Sequence, residues 1–336
     1  SIEELSEHAM VVRRLIWAIN FAGCLSDDLW QLSHQKLLRL GRSLDKGSAS
    51  APSPTEARRA PQAVSESPRP PLVVLDLSDR LVIHKPSGWR VDTDASEVGQ
   101  ELRQLSDFVQ TFLPATQWPL VHDASSHYGF LHRLDVPSSG LVLAAKTYEA
   151  FWDLQFQLVV GAVMRNYVAL CHGWLPPQRQ LIDHRVYWNR RVCLPSVVCQ
   201  QGKPSCTRLK TVLEHSSFMG EALSLVAIRI DTGRRHQIRL HFAHIGHPLT
   251  CDSGYSSQAA FLSDRAWCSR NFLHRCGLAF CDLAGVQQNV VAPWPQELAL
   301  ARSGLTPRGT SRRHSELRRL DDGAREPLVG GKKALC

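Results

Sequence analysis

The sequence has no apolar run that is both long enough and free enough of charge to cross a bilayer, which takes about 20 residues. A helical membrane span is therefore excluded, no membrane partner is expected, and the chain is expected to be soluble. None of the ten cysteines belongs to a Cys-x-x-Cys pair, and no Cys/His spacing of the zinc-finger kind occurs, so no structural zinc motif is present. Scattered thiols in a chain this long read as reduced and mostly buried, which points inside the cell, to cytoplasm or an organelle, and away from secretion. The first residue is Ser1, not methionine, so a targeting signal ahead of it stays open. Acidic residues are the minority. The 31 Asp plus Glu against 39 Lys plus Arg leave a net charge of +8, which suits a polyanionic partner and equally suits a solubilising surface.

At 336 residues, 43% of them hydrophobic, the chain supports one large domain with appendages. Residues 1–44 carry helical patterning. Leu5, Val12, Leu15 and Ile16 fall near one face, and Asp27 and Asp28 precede a second run with Leu32, Leu37, Leu38 and Leu40. This predicts a helix pair, an N-terminal extension that is also a candidate surface for a protein partner. Residues 45–71, rich in Ser, Pro, Ala and Arg, read as a flexible linker, and residues 301–336, polar and basic, as a disordered tail. The segment between, 72–300, mixes strand and helix signals. A Ser78-Asp79-Arg80 turn joins two strand-like runs, Leu141 to Ala145 is a short apolar strand, and Thr147 is a candidate N-cap for the helix that follows. "AVMRNYVALCHG" and "EALSLVAIRIDTG" read as further strands. "GRRHQIRLHFAHIG" reads as a helix with Ile238, Phe242 and Ile245 in one stripe and Arg235 and Arg239 one turn apart on another face. Strands joined by few helices favour an α+β fold over a doubly wound sheet.

The stretch "GFLHRLDVPSSGLVLAAKT" places His132, Arg133 and Asp135 just ahead of a buried strand. Asp135 is followed by Val136, Pro137, two serines and Gly140, a loop composition that holds a carboxylate in place while leaving it accessible. Taken alone, such a cluster is more often a turn cap with solvated neighbours. Three further motifs accompany it in order: "HKPSG" at His84 to Gly88, "GRRHQIRLHFAHIGHPLTCDSGY", and "NFLHRCGLAF" followed by "APWP". Together they resemble the RluA-type family of pseudouridine synthases over about two thirds of the chain.

The resemblance implies an α+β domain with a mixed, mainly antiparallel sheet and flanking helices. It implies isomerisation of specific uridines in structured RNA, tRNA or rRNA foremost and mRNA as a further class, by a monomer that needs neither cofactor nor metal. It makes Asp135 the essential carboxylate, acting as nucleophile or by assisting a glycal intermediate. Desolvation alone favours the neutral acid, so a cation has to sit beside it, and Arg239 matches the family residue that does so. Tyr167 matches the active-site tyrosine, placed to stack on uracil and to help remove the proton from the carbon that forms the new bond. Arg133 is implied in extruding the target nucleotide, and Arg234 and Arg235 in contacting RNA. His132, Gly140, His236 and Gln237 are supporting residues. Two features depart from the family pattern: Arg235 stands where relatives often carry Thr or Ser, and "TCDSGY" replaces a commoner Gly-Asp-x-x-Tyr. No copy of the small basic RNA-binding module that precedes many relatives is recognisable. Two other readings compete: an inactive RNA-binding protein that keeps the fold, and a metal-dependent hydrolase using His241-x-x-His244, a pair without a convincing carboxylate partner.

Overall fold

The computed structural model describes residues 2–48, 69–92, 102–189 and 195–308. The chain opens with helices α1 (Ile2–Phe21) and α2 (Asp27–Ser48) and continues through hairpin β1 (Leu72–Asp76) and β2 (Arg80–Lys85). Helix α3 (Leu105–Gln110), two short 3-10 turns, β3 (Ser139–Ala145), α4 (Tyr148–Val159) and β4 (Met164–His172) follow. Next come β5 (Leu181–Asp183), β6 (Val186–Tyr187), β7 (Val197–Val198), β8 (Cys206–Phe218), β9 (Glu221–Ile230), α5 (Gln237–His244) and α6 (Gln258–Arg265). The described chain ends with β10 (Leu273–Cys281), β11 (Gln287–Val291), α7 (Gln296–Ser303) and β12 (Thr306–Pro307).

The main sheet runs β1-β2-β3-β10-β4-β9-β8-β12. Its neighbours pair antiparallel except β3 and β10, which are parallel. This is the mixed, mainly antiparallel α+β architecture expected. The sheet is covered on both sides. Val142, Ala144, Tyr167, Ala169 and Ile228 point to one core, closed by Ile238 and Phe242 of α5. Leu141, Leu143 and Ala145 point the other way, onto Phe151 and Leu154 of α4. All seven residues of β3 are buried, which is why it reads as a continuous apolar run and not as an alternation. Thr147 caps α4 as expected, its hydroxyl accepting from Ala150 N–H at 3.2 Å.

The helix pair packs on this domain. Asp45 of α2 accepts from the N–H groups of Tyr148 (2.8 Å) and Glu149 (3.0 Å), adding a second cap to α4. A Cβ on Gly41 would lie 2.5 Å from the Glu149 Cα, so only glycine allows this approach. The buried stripe runs through Ala9, Ile16, Ser33, Leu37 and Leu44, while Leu15 and Leu32, read as core-facing, are 57% and 65% exposed. Helix α2 runs to Ser48, past the boundary drawn at residue 44. At the other end Ala301 and Leu305 are buried, and Thr306–Pro307 pair with β8, so ordered chain continues beyond residue 300. The rest of the linker and tail readings lie outside the described residues. Among the described residues seven cysteines carry free thiols, and Cys281, which is disulfide-bonded, departs from the reading of reduced thiols. Among the described residues no helix is long and apolar enough to cross a membrane.

Candidate active site

Asp135 lies on the turn that feeds β3, its carbonyl accepting from Ser138 N–H at 3.0 Å. The "HKPSG" stretch holds the residue that follows. The buried Lys85 ammonium donates to the carbonyls of Pro86 (3.0 Å), Trp89 (2.8 Å) and Val136 (3.3 Å), and Gly88 N–H also donates to Val136 (2.9 Å). The serines after Asp135 fasten the exit to the segment entering β10. Ser138 accepts from the Asn271 amide at 3.1 Å, and Ser139 accepts from Arg270 at 2.7 Å and bonds His274 at 2.9 Å. Gly140 has φ +125°, and a Cβ there would sit 2.3 Å from the Arg275 carbonyl oxygen. The motif is thus a carboxylate on a turn that is clamped from both sides.

Helix α5 brings Arg239 to it. Nη1 donates to Asp135 Oδ2 at 2.9 Å, while Nε and Nη2 donate to the two oxygens of Asp252 at 2.8 and 2.7 Å. Gln237 sets the helix start: its amide donates to Cys206 O and Thr207 Oγ1, and its oxygen accepts from Thr232 Oγ1 and Arg234 N–H. His236, left-handed at φ 56°, shares a hydrogen bond with the Tyr255 hydroxyl at 3.0 Å, and its other nitrogen lies 4.0 Å from Asp135. Asp252 and Tyr255 were missed because "TCDSGY" was read as a departure. The Asp-x-x-Tyr spacing is in fact intact, with Gly254 leaving room for the guanidinium, since a Cβ there would fall 2.9 Å from Arg239 Nη2.

Burial works against ionisation of Asp135. The surrounding positive charge, from His236 when protonated and from Arg239, outweighs it and holds the carboxyl below its ordinary range. His236 is itself pushed down by burial, with Asp135 opposing, so its imidazole is neutral at pH 7 and the permanent partner is the guanidinium. Burial also takes Lys85 down to about 7, with Arg270 reinforcing it and Asp135 opposing.

Tyr167 projects from the middle of β4, opposite Ile228, into the core cluster that also contains Leu134. Its hydroxyl accepts from Arg275 Nε (2.8 Å) and Nη2. His132 accepts at Nδ1 from the same guanidinium (2.5 Å), and burial, followed by the charges of Arg275 and Arg165, holds its imidazole well below the usual range. Arg239 and Asp135 thus form one pair, and Arg275 joins Tyr167 to His132 in a second group; of the two arginines only Arg239 was anticipated. Of the remaining candidates, Arg133 meets Arg275 through its carbonyl at 3.4 Å, and Arg234 and Arg235 lie elsewhere. Arg133 is exposed, 3.5 Å from Asp92. Arg234 donates to Pro204 O at 3.2 and 3.3 Å, and Arg235 lies over the Trp188 ring at 4.5 Å. His241 engages Thr207 Oγ1 and His184 O, each at 3.0 Å, which occupies both ring nitrogens and removes the basis for the hydrolase reading.

Fold and site define an α+β domain organised around one carboxylate under a permanent positive charge. The sequence model of the RNA pseudouridylate synthase family matches residues 79–244. Similar curated proteins include ribosomal large subunit pseudouridine synthase D of Buchnera aphidicola subsp. Acyrthosiphon pisum, 31% identical over 200 residues, covering 57% of this chain and 58% of that one. The protein of the same name from Nitrosomonas europaea is 39% identical over 189 residues, covering 55% and 47%. Among solved structures, human RNA pseudouridylate synthase domain containing 1 aligns with TM-score 0.56 and 24% identity, over 80% of this chain and all of that one, a likeness of fold. The chain spans 54% to 60% of the length of the first five curated relatives it matches. Its central domain belongs to the RNA pseudouridylate synthase family.

Proposed function

We propose that this chain is an RNA pseudouridine synthase that isomerises specific uridines in structured RNA with Asp135 as its essential carboxylate. Ribosomal RNA is the favoured class, in keeping with the names of the relatives, and tRNA and mRNA are the further classes. The observation that carries the reading is the Asp135–Arg239 contact of 2.9 Å, with the same guanidinium pinned by Asp252. The reaction breaks the bond from ribose to the uracil nitrogen, turns the base, and forms a bond from ribose to a ring carbon. That carbon then loses its proton and the freed nitrogen gains one, so nothing is added and no electrons are exchanged with a partner. Either route, nucleophilic attack or assistance to a glycal, needs an ionised carboxylate, which Arg239 maintains.

Tyr167 stacks on the base and serves the proton removal at carbon, and Arg133, exposed at the rim, enters the space left by the extruded nucleotide. Arg234 and Arg235 contact the RNA backbone from the loop ahead of α5. His132, Gly140, His236 and Gln237 hold this geometry. The test is release of tritium from ring-labelled uridine in rRNA and tRNA transcripts, with RNA binding measured in parallel. Wild-type protein releases tritium and Asp135→Asn does not. Binding without release from any transcript would instead support the inactive RNA-binding alternative.

A further inference from the structure

Arg275 is 2% exposed. Its five N–H groups all have acceptors: Nε and one Nη2 hydrogen go to the Tyr167 hydroxyl, Nη1 to His132 Nδ1 (2.5 Å) and Leu141 O (3.0 Å), and Nη2 also to Arg133 O (3.4 Å). None of these acceptors is a carboxylate. Among the described residues, the buried arginines Arg80, Arg239 and Arg270 each hold a carboxylate, whereas Arg165, which donates to the Asp231 carbonyl, and Arg275 do not. A buried cation without a counter-charge is costly, so a guanidinium kept here is doing something that a neutral side chain would not. The acceptors show what it joins: the phenol of β4 on one side, and the imidazole and backbone of the segment leading to Asp135 on the other.

The fold fixes Arg275 in this role. It pairs in parallel with Gly140, whose missing side chain lets the Arg275 carbonyl approach, so the Asp135 turn sets the register of the arginine. The planar fork then spans from β10 to Tyr167 with two donors on one oxygen, which an ammonium on a flexible stem cannot copy. Because His132 accepts at Nδ1, its proton sits on Nε2.

We propose that Arg275 is a positioning residue of the uridine site, tying the Tyr167 hydroxyl to the His132–Arg133 segment and so setting the tyrosine relative to Asp135. The proposal rests on the reading that Tyr167 works on the uracil ring. Arg275 touches no reacting atom in this role and acts through Tyr167.

Arg275→Lys keeps the charge and loses the fork, whereas Arg275→Gln loses both. Arg275→Lys lowers kcat on structured RNA by about 30-fold or more while KM for RNA stays within about threefold. In a Tyr167→Phe background the same change lowers kcat by less than about twofold, since the arginine has lost the group it positions. A purely structural arginine would give the full loss in both backgrounds. The charged groups facing His132 are Arg275 and Arg165, with no carboxylate among the causes of its shift. His132, assigned in NMR spectra by its loss in His132→Gln, therefore stays neutral through mildly acidic pH in wild type and in Arg275→Lys, and titrates at higher pH in Arg275→Gln. Near-wild-type kcat for Arg275→Lys, or equal losses with and without the Tyr167 hydroxyl, would overturn the proposal. So would an ordinary His132 titration in the wild type. If Arg275→Gln does not fold, the lysine cycle decides alone. If the wild type releases no tritium from any RNA, the functional reading fails, and the His132 titration still decides whether Arg275 governs this segment.

Discussion

Replacing Arg239 by lysine separates what the charge does from what the fork does. The guanidinium makes three charge-assisted contacts, two to Asp252 and one to Asp135. A single ammonium at the end of a lysine cannot span both carboxylates. The side chain of Asp252 is 0% exposed and that of Asp135 24%. Stranding the fully buried carboxylate costs several kcal/mol, whereas water reaches the other, so the ammonium goes to Asp252 and Asp135 loses its partner. A charge-assisted hydrogen bond is worth about 1.5–3 kcal/mol, which is a fall of about 10- to 150-fold in kcat if the contact to Asp135 is what keeps the carboxylate ready. RNA affinity should change by less than about threefold, because the guanidinium is buried and held between two carboxylates, away from where a phosphate would reach it. Single-turnover tritium release and fluorescence anisotropy with the same transcript measure the two quantities. Unchanged turnover, or a loss of affinity as large as the loss of turnover, would refute the assignment of Arg239 to the carboxylate.

Asp252→Asn preserves shape but leaves Asp135 as the one carboxylate Arg239 holds, and thermal or denaturant unfolding should show a loss of about 1.5–3 kcal/mol. Gly140→Ala should cost about 3 kcal/mol or more, because the φ of +125° and the Arg275 carbonyl 2.3 Å from the new Cβ both resist it; a melting temperature within a degree of wild type would contradict the close approach. Asp135, depressed in the folded state, contributes stability that is present above its unfolded pKa and lost as pH falls through the lower folded value. The acid limb of the rate profile should accordingly lie below the ordinary carboxylate range and move up in Arg239→Lys. Lys85 has the opposite sign: between about 7 and its ordinary 10.5 the unfolded chain binds the extra proton, so stability rises with pH by up to about 1.4 kcal/mol per pH unit relative to Lys85→Met. Parallel unfolding curves for the two proteins across that window would remove the case for a neutral amine.

Much of this site was legible wherever its physics is local. The β3 run, the Thr147 cap, and the Ile238 and Phe242 part of the α5 stripe depend on neighbours within a turn or a strand, and the structure places these as the pattern implied, whereas Arg235 and Ile245, read as part of the same helix, fall just outside its two ends. Arg239 was also reachable, because a buried carboxylate requires a cation and a family motif named the position. Asp252 had a usable signal, the Asp-x-x-Tyr spacing, obscured by attention to the residue before it.

Arg275 had no such signal. It sits inside "FLHRCGLAF", where one charge among apolar residues looks like an interruption of a strand. Its partners lie 108 and 143 positions away in sequence, on β4 and on the loop before β3. They come together only because β10 enters the sheet between β3 and β4, in a parallel register with one and an antiparallel register with the other. No local pattern specifies that insertion. The surplus of a charge over its visible counter-charges is therefore a property of the folded sheet. It is measurable there as a buried guanidinium whose five N–H groups meet four acceptors, none of them a carboxylate, and a double-mutant cycle with Tyr167 reads it directly.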